Sequence, residues 1–220
     1  MADETTTTAR TPAPAMAKPV ILGRKVGMLQ HFRADGSVVA ATVISAEPNL
    51  VTQIRTKERD GYSAIQIGYG AVAPKKLAKG ELGHLGDLPA LKHLQEVRLD
   101  DTTGFATGQA IAVDRFAAGD KVDVVGVSKG KGFSGPVHLH HFHRGPTTHG
   151  SDHHRHQGSV GSGTTPGRVL RGLRMAAHQG ADRVTVKNLE ILRADPERSL
   201  LLIAGAVPGA RNGLVVVRKI

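Results

Sequence analysis

The residues with the densest chemistry lie between Ser128 and Gly180, SKGKGFSGPVHLHHFHRGPTTHGSDHHRHQGSVGSGTTPGRVLRGLRMAAHQG. Seven cations, Lys129, Lys131, Arg144, Arg155, Arg168, Arg171 and Arg174, face one acid, Asp152, so this stretch carries +6 of the whole chain's +10. It also holds nine of the twelve histidines and eleven of the 27 glycines. Lysine and arginine neutralise phosphates and release their counterions, and glycine lets a backbone approach a polyanion closely. Imidazole rings such as those of His140, His143, His149, His153, His154, His156 and His178 can stack on bases or face phosphates. RGP, THGS, PGR and RGLR set guanidinium groups beside Gly or Pro turns, which presents them without a helix.

Other chemistries fit these residues less well. Gly130-x-Gly132-x-x-Gly135 follows a predicted strand, as a dinucleotide fingerprint does, with Asp152 about 20 residues further on. Gly145-Pro146, however, would break the helix that such a site needs, and Asp152 lies among Gly and His. GVSKGKG is one residue too short for a Walker A loop and has Gly where Ser or Thr would bind magnesium. His138, His140, His141, His143, His149, His153, His154 and His156 suggest a metal, and His149-x-x-x-His153 would suit one face of a helix. Gly150 and the lack of helical period oppose that geometry, and with no cysteine nothing completes a common zinc site. Ser151, Asp152 and His153 are adjacent, so they do not face one another as a relay requires, and no GxSxG elbow occurs. No catalytic residue, cofactor or physiological metal is expected. A His-rich metal- or nucleotide-binding protein is the second reading.

The elements that must position the basic stretch are β in character. Val26 to Phe32, Asp35-Gly36 and Val38 to Ala46 read as one hairpin, and Leu50 to Thr56, Asp60-Gly61 and Tyr62 to Gly68 as another. Residues 71–94 interrupt the rhythm as a small insertion, with Asp87 capping a short helix that presents Leu88, Leu91 and Leu94. Strand signals resume at Glu96 to Leu99, Gln109 to Phe116 and Lys121 to Val127. They return after the basic stretch at Arg183 to Leu192, Ser199 to Ala206 and Leu214 to Arg218. LLLIAGAV reads as buried on both faces. Many short strands with little helix predict a mostly β fold, a closed antiparallel barrel of residues 20–127 plus 183–220. Residues 128–182 then leave and re-enter the barrel as one long loop. A loop of that length inside a compact domain implies a function.

Composition narrows the partner. Seven aromatics and 40 % apolar residues imply an aliphatic core, and the pI near 10.2 points to a polyanion. No apolar run reaches the roughly 18 residues that span a bilayer, so no membrane role is expected. The absence of cysteine fits a reducing cytoplasm. Residues 1–19, rich in Thr, Ala and Pro, read as a disordered tail, with Asp3 and Glu4 opposing a transit peptide. The basic stretch has few large apolar side chains to offset the ordering of its own backbone, so it is expected to stay unstructured until a polyanion orders it.

ILGRKVGMLQHF, the DGY turn, SKGKGFSG, THGSDHHRHQGSVG, TTPGRVLRGLRMAAHQG, RVTVKNLEIL and LLLIAGAVPGARNGLVVVR together resemble the bacterial large-subunit ribosomal protein L-three family, from about Ile21 to the C-terminus. The resemblance implies a translation-protein-type barrel and a long extension threading rRNA toward the peptidyl transferase centre. It further implies direct binding to large-subunit rRNA, an early assembly role near that rRNA's 3′ end, and neighbours from the L-fourteen and L-nineteen families. The protein would then be cytoplasmic, on the ribosome, non-enzymatic and not a homo-oligomer. Lys129, Lys131, Phe133, His149, Gly150, Arg155, Gly158, Pro166, Gly167 and Gly180 fall on the family's extension motifs. Three features depart from the pattern. No Gln lies between Phe142 and His149, where some members carry a methylated one; Ala177 replaces a usual glycine; and the segment before Val20 is additional.

Overall fold

The computed structural model describes residues 19–220. The expected disordered tail therefore lies outside the described residues, apart from Pro19. That residue is buried, and its carbonyl accepts the Lys219 N–H at 2.9 Å.

The chain is mostly β. Its strands are β1 (Val20–Phe32), β2 (Val38–Ser45), β3 (Asn49–Arg55), β4 (Ala64–Ala71), β5 (Leu91–Arg98), β6 (Ala110–Ile111), β7 (Lys121–Val127), β8 (Phe133–Ser134), β9 (Ala177–His178), β10 (Arg183–Asp195), β11 (Leu200–Ala204) and β12 (Leu214–Lys219). Helices are short: α1 (Lys57–Asp60), α2 (Lys79–Leu85) and α3 (Pro136–His140). The chain divides into two units, one comprising the described residues up to Gly126 together with Val184–Ile220, the other Val127–Arg183.

In the first unit, six strands close into a barrel in the order β1-β12-β7-β10-β11-β2, and β5-β4-β3-β6 form a separate four-stranded sheet. Expecting every strand of residues 20–127 in one barrel is therefore corrected. The reason lies in β1, where side chains alternate between two apolar environments as a pleated strand requires. Ile21 enters a core with Ile44, Val122, Val124, Ile191, Leu201, Ile203 and Val217. Its neighbours Val20 and Leu22 enter a second core with Val51, Ile65, Ile67, Tyr69 and Ile111. A strand buried on both faces needs a second layer, and the four-stranded sheet supplies it.

Four local expectations are corrected as well. LLLIA in β11 is not buried on both faces: Leu201 and Ile203 are fully buried, while Leu200, Leu202 and Ala204 are half-buried. Leu91 and Leu94 belong to β5, and the helix of this region is α2, upstream. There the Glu81 carboxylate accepts the Ala78 N–H at 2.8 Å, a start signal of its own. Gln109 to Phe116 yields only the two residues of β6, followed by a single 3₁₀ turn at Val113–Arg115. The Asp60-Gly61 pair does not form a two-residue turn. It ends α1, with Gly61 in the left-handed region (φ 79°) and Asp60 tied to Arg55 at 2.6 Å. The first hairpin does close at Asp35-Gly36, where Asp35 Oδ1 accepts the Ser37 N–H and hydroxyl at 2.9 and 2.6 Å.

Candidate nucleic-acid interface

The unit Val127–Arg183 is held together by polar contacts instead of an apolar core. Ser134 is its only buried residue, and neither hydrophobic core includes any of its side chains. Such a segment gains little from burial, so its shape depends on hydrogen bonds between its outgoing and returning arms.

Those bonds begin at the root. Ser128 donates its N–H to Asp182 O at 2.9 Å, and its hydroxyl accepts the Asp182 N–H at 3.2 Å. Lys131 N–H donates to Gln179 O and Gln179 N–H to Gly132 O, each at 2.8 Å. β8 and β9 follow, with Phe133 opposite His178 and Ser134 opposite Ala177. The arms approach so closely that a Cβ on Gly180, whose φ is +78°, would collide with the Lys129 carbonyl.

Side chains continue the pairing. His138 Nδ1 lies 2.7 Å from Gln179 Oε1, and His140 Nε2 is 2.9 Å from Met175 O. Arg174 sits over the Phe142 ring, 6.0 Å from its centroid, and His140 lies 5.8 Å from the same ring. Further out, Gly145 N–H donates to His154 O at 3.0 Å, and His154 Nδ1 is 2.8 Å from Pro146 O. His153 and His156 pack edge to face at 5.1 Å.

The sequence-derived site residues therefore separate by environment. His140 and His154 each have a ring nitrogen engaged by the protein's own backbone, and Arg174 lies against an aromatic face. Lys129, Lys131, Arg144, Arg155, Arg168 and Arg171 are exposed, as are His143, His149, His153, His156 and His178. Phe133 is 78 % exposed, unusual for an aromatic ring in water. Among the described residues, none of the ion pairs involves a residue of this unit. Sequence reasoning missed Ser128, Gln179 and Phe142 as positioning residues. Gln179 and His138 are 41 positions apart, and no local pattern links them.

The competing chemistries lack their geometry. The glycines after β7 lead into the two residues of β8 and the five of α3, with no crossover helix for a dinucleotide. His149, at φ 59°, lies outside any helix, so its spacing to His153 does not set two rings on one helical face. Among the described residues, no three His, Asp or Glu side chains are grouped to hold a metal ion. No helix of the described residues is long and apolar enough to cross a membrane.

A barrel-bearing chain whose coreless second unit exposes uncompensated cations and a bare aromatic ring has the make-up of a polyanion-binding protein. Similarity to known proteins makes this specific. The family model for ribosomal protein L3 matches residues 96–199. The large ribosomal subunit protein uL3 of Herpetosiphon aurantiacus is 51 % identical over 201 residues, spanning 90 % of this chain and 95 % of that protein. Its counterparts in a Synechococcus species and in Crocosphaera subtropica are 50 % and 52 % identical, covering 90 % and 89 % of this chain and 94 % and 93 % of theirs. The chain belongs to the ribosomal protein L3 family.

Proposed function

We propose that this protein is a structural constituent of the large ribosomal subunit that binds large-subunit rRNA directly and catalyses nothing. The observation that carries the reading is the set of exposed, unpaired cations in a unit without a core, in a chain half identical to bacterial uL3 proteins over nine-tenths of its length. Phosphates would supply the counter-charge that the protein does not supply itself.

The finer assignments follow family membership. Residues 20–127 plus 183–220, with the insertion 71–94, act as the anchoring domain, a translation-protein-type barrel with the four-stranded sheet as an added layer, and residues 128–182 act as an rRNA-penetrating extension directed toward the peptidyl transferase centre. Lys129, Lys131, Phe133, His143, Arg144, His149, His153, Arg155, His156, Arg168, Arg171, Arg174 and His178 face RNA. His140 and His154 contribute chiefly by bracing the arms, since a ring nitrogen of each is already engaged. The protein joins the subunit early, near the rRNA 3′ end, beside members of the L-fourteen and L-nineteen families.

The test is the salt dependence of binding to large-subunit rRNA, for the intact chain and for one with residues 129–178 replaced by a short Gly/Ser linker. Each neutralised phosphate contributes about 0.7 to 0.9 to the log–log slope, so the replacement should flatten it by roughly 4 to 6. An unchanged slope, with the barrel still folded, would transfer the affinity to the barrel and refute the role given to the extension.

A further inference from the structure

Within Val127–Arg183 an open cleft of about 680 Å³ is walled by Val160, Pro166, Leu170 and Leu173, with Ser162 and Arg168 also lining it. The walls are unusual for a surface: Val160, Leu170 and Leu173 are 39, 57 and 42 % exposed, so several aliphatic side chains face solvent side by side. Ser159 Oγ pins the bend at Gly161 on the cleft's rim, donating to the Gly161 carbonyl at 3.1 Å and accepting the Gly161 N–H at 3.3 Å.

We infer that this cleft receives a single unstacked nucleobase of the rRNA. The inference rests on the rRNA-binding reading above and adds a site to it. A cleft within the roughly 300–1,000 Å³ range of small-ligand sites suits a ligand with flat, poorly hydrated faces. Its surroundings select the rest of that ligand. From His153 to Ala181 the chain carries Arg155, Arg168, Arg171 and Arg174 and no acid, so the segment that forms the apolar cleft bears only positive formal charge, with Arg168 on its wall. A nucleotide has both halves of the complement, a base for the aliphatic walls and a phosphate for the Arg168 guanidinium. Proteins that read single-stranded RNA recognise splayed-out bases through their faces, and enzymes that flip bases hold them between apolar side chains. Ser162 supplies a hydroxyl able to donate to or accept from a base edge.

The experiment is base-specific chemical probing of large-subunit rRNA bound to the full-length protein. At least one unpaired base should be protected about fivefold or more by the unaltered protein and fully reactive with L170S/L173S. Overall affinity should fall less than about threefold and the salt slope should hold, because the phosphate contacts remain. L170F, which fills the cleft without making it polar, should also abolish the protection. An identical protection pattern in all three proteins would overturn the inference. So would loss of all rRNA binding by both variants, since the leucines would then be holding the extension together. A photoreactive residue placed at Val160 should label a nucleotide in assembled subunits; labelling a protein neighbour instead would assign the cleft to an apolar peptide. Failure of the unaltered protein to bind rRNA in a salt-dependent way would sink the underlying reading, a different result from any of these.

Discussion

The side-chain amide of Asn49 holds both backbone polar groups of Leu22. Oδ1 accepts the Leu22 N–H at 2.7 Å, and Nδ2 donates to the Leu22 carbonyl at 3.1 Å and to Glu47 O at 2.9 Å. Both residues are 0 % exposed. Asn49 opens β3 of the four-stranded sheet and Leu22 lies on β1 of the barrel, so one side chain continues the hydrogen bonding where the ladder changes sheet. Removing it strands a buried donor and a buried acceptor. N49A should therefore lower stability by about 2–4 kcal/mol with an unchanged denaturant slope, measured by urea unfolding. N49D should cost more at neutral pH, because a carboxylate cannot donate to the Leu22 carbonyl and would be a charge without solvent. A loss below about 0.5 kcal/mol for N49A would mean that water replaces the amide.

Asp120 gives the fold an acid-sensitive contact. Its carboxylate accepts from Lys219 Nζ at 2.7 Å and from the Ala117 N–H at 2.9 Å. The lysine bond first, then the backbone bond, holds its pKa below the usual aspartate value of about 3.9. A folded-state value below the unfolded one contributes stability that is fully present above about pH 4 and lost as pH falls through the folded value. D120N and K219M should each flatten the acid limb of the stability–pH profile below about pH 4 and leave its shape near neutrality intact. Thermal unfolding across that range checks this; a wild-type acid limb in both variants would count against it.

Gly180 tests the place where the two arms of the second unit meet. A methyl group there meets the Lys129 carbonyl at a residue with φ +78°, and such strain costs of order 1–3 kcal/mol. G180A should weaken rRNA binding about tenfold or more while the barrel's unfolding transition stays in place, because the strain falls where burial is slight. G130A is the control. Its Cβ would lie 3.8 Å from the Ala181 Cβ, an ordinary contact, and its binding should be near wild type.

The exposed cations should act independently. R155A, R168A and R171A should each reduce the salt slope by about 0.7 to 0.9, and the triple variant by the sum. R174A should reduce the slope similarly and also release Phe142, seen as faster amide exchange around residues 138–142. Filter binding at several salt concentrations measures the first effect, and exchange on the free protein the second.

The same exchange experiment bears on whether the second unit is ordered without rRNA. The outer part, residues 145–163, should show weak protection compared with Ile191 or Leu201. One backbone pair, Gly145 to His154, bridges that span, whereas Ile191 and Leu201 are fully buried. Strong protection across 145–163 in the free protein would show that the internal bonds suffice without RNA.

Much was legible in the chain because it is encoded locally. Alternating β-branched runs mark the strands, Asp35-Gly36 marks the first hairpin, and the imbalance of charge between Ser128 and Gly180 marks the second unit. Each depends on residues within a few positions of one another. The ordered motifs from ILGRKVG to GLVVVR were specific enough to suggest the family to which the chain belongs.

What only the tertiary structure decided are the questions of which face meets which. VILG opens β1 as an uninterrupted apolar run, and nothing local says that Ile21 enters one core while Val20 and Leu22 enter another. That outcome depends on strands from the far end of the chain, with Val20 opposite Arg218 and Leu22 opposite Val216. Leucines at 88, 91 and 94 satisfy a helical face, yet pairing of Leu91 with Ala71 and Leu94 with Gly68 draws two of them into a strand, because tertiary burial outweighs a weak local preference. The histidines show the same limit. All nine in the basic stretch look alike in sequence, and only the meeting of two arms some 40 residues apart makes His138 and His140 braces and leaves His143 and His149 exposed. Periodicity and charge are properties of neighbours along the chain, whereas burial and hydrogen-bond partnership belong to neighbours in space.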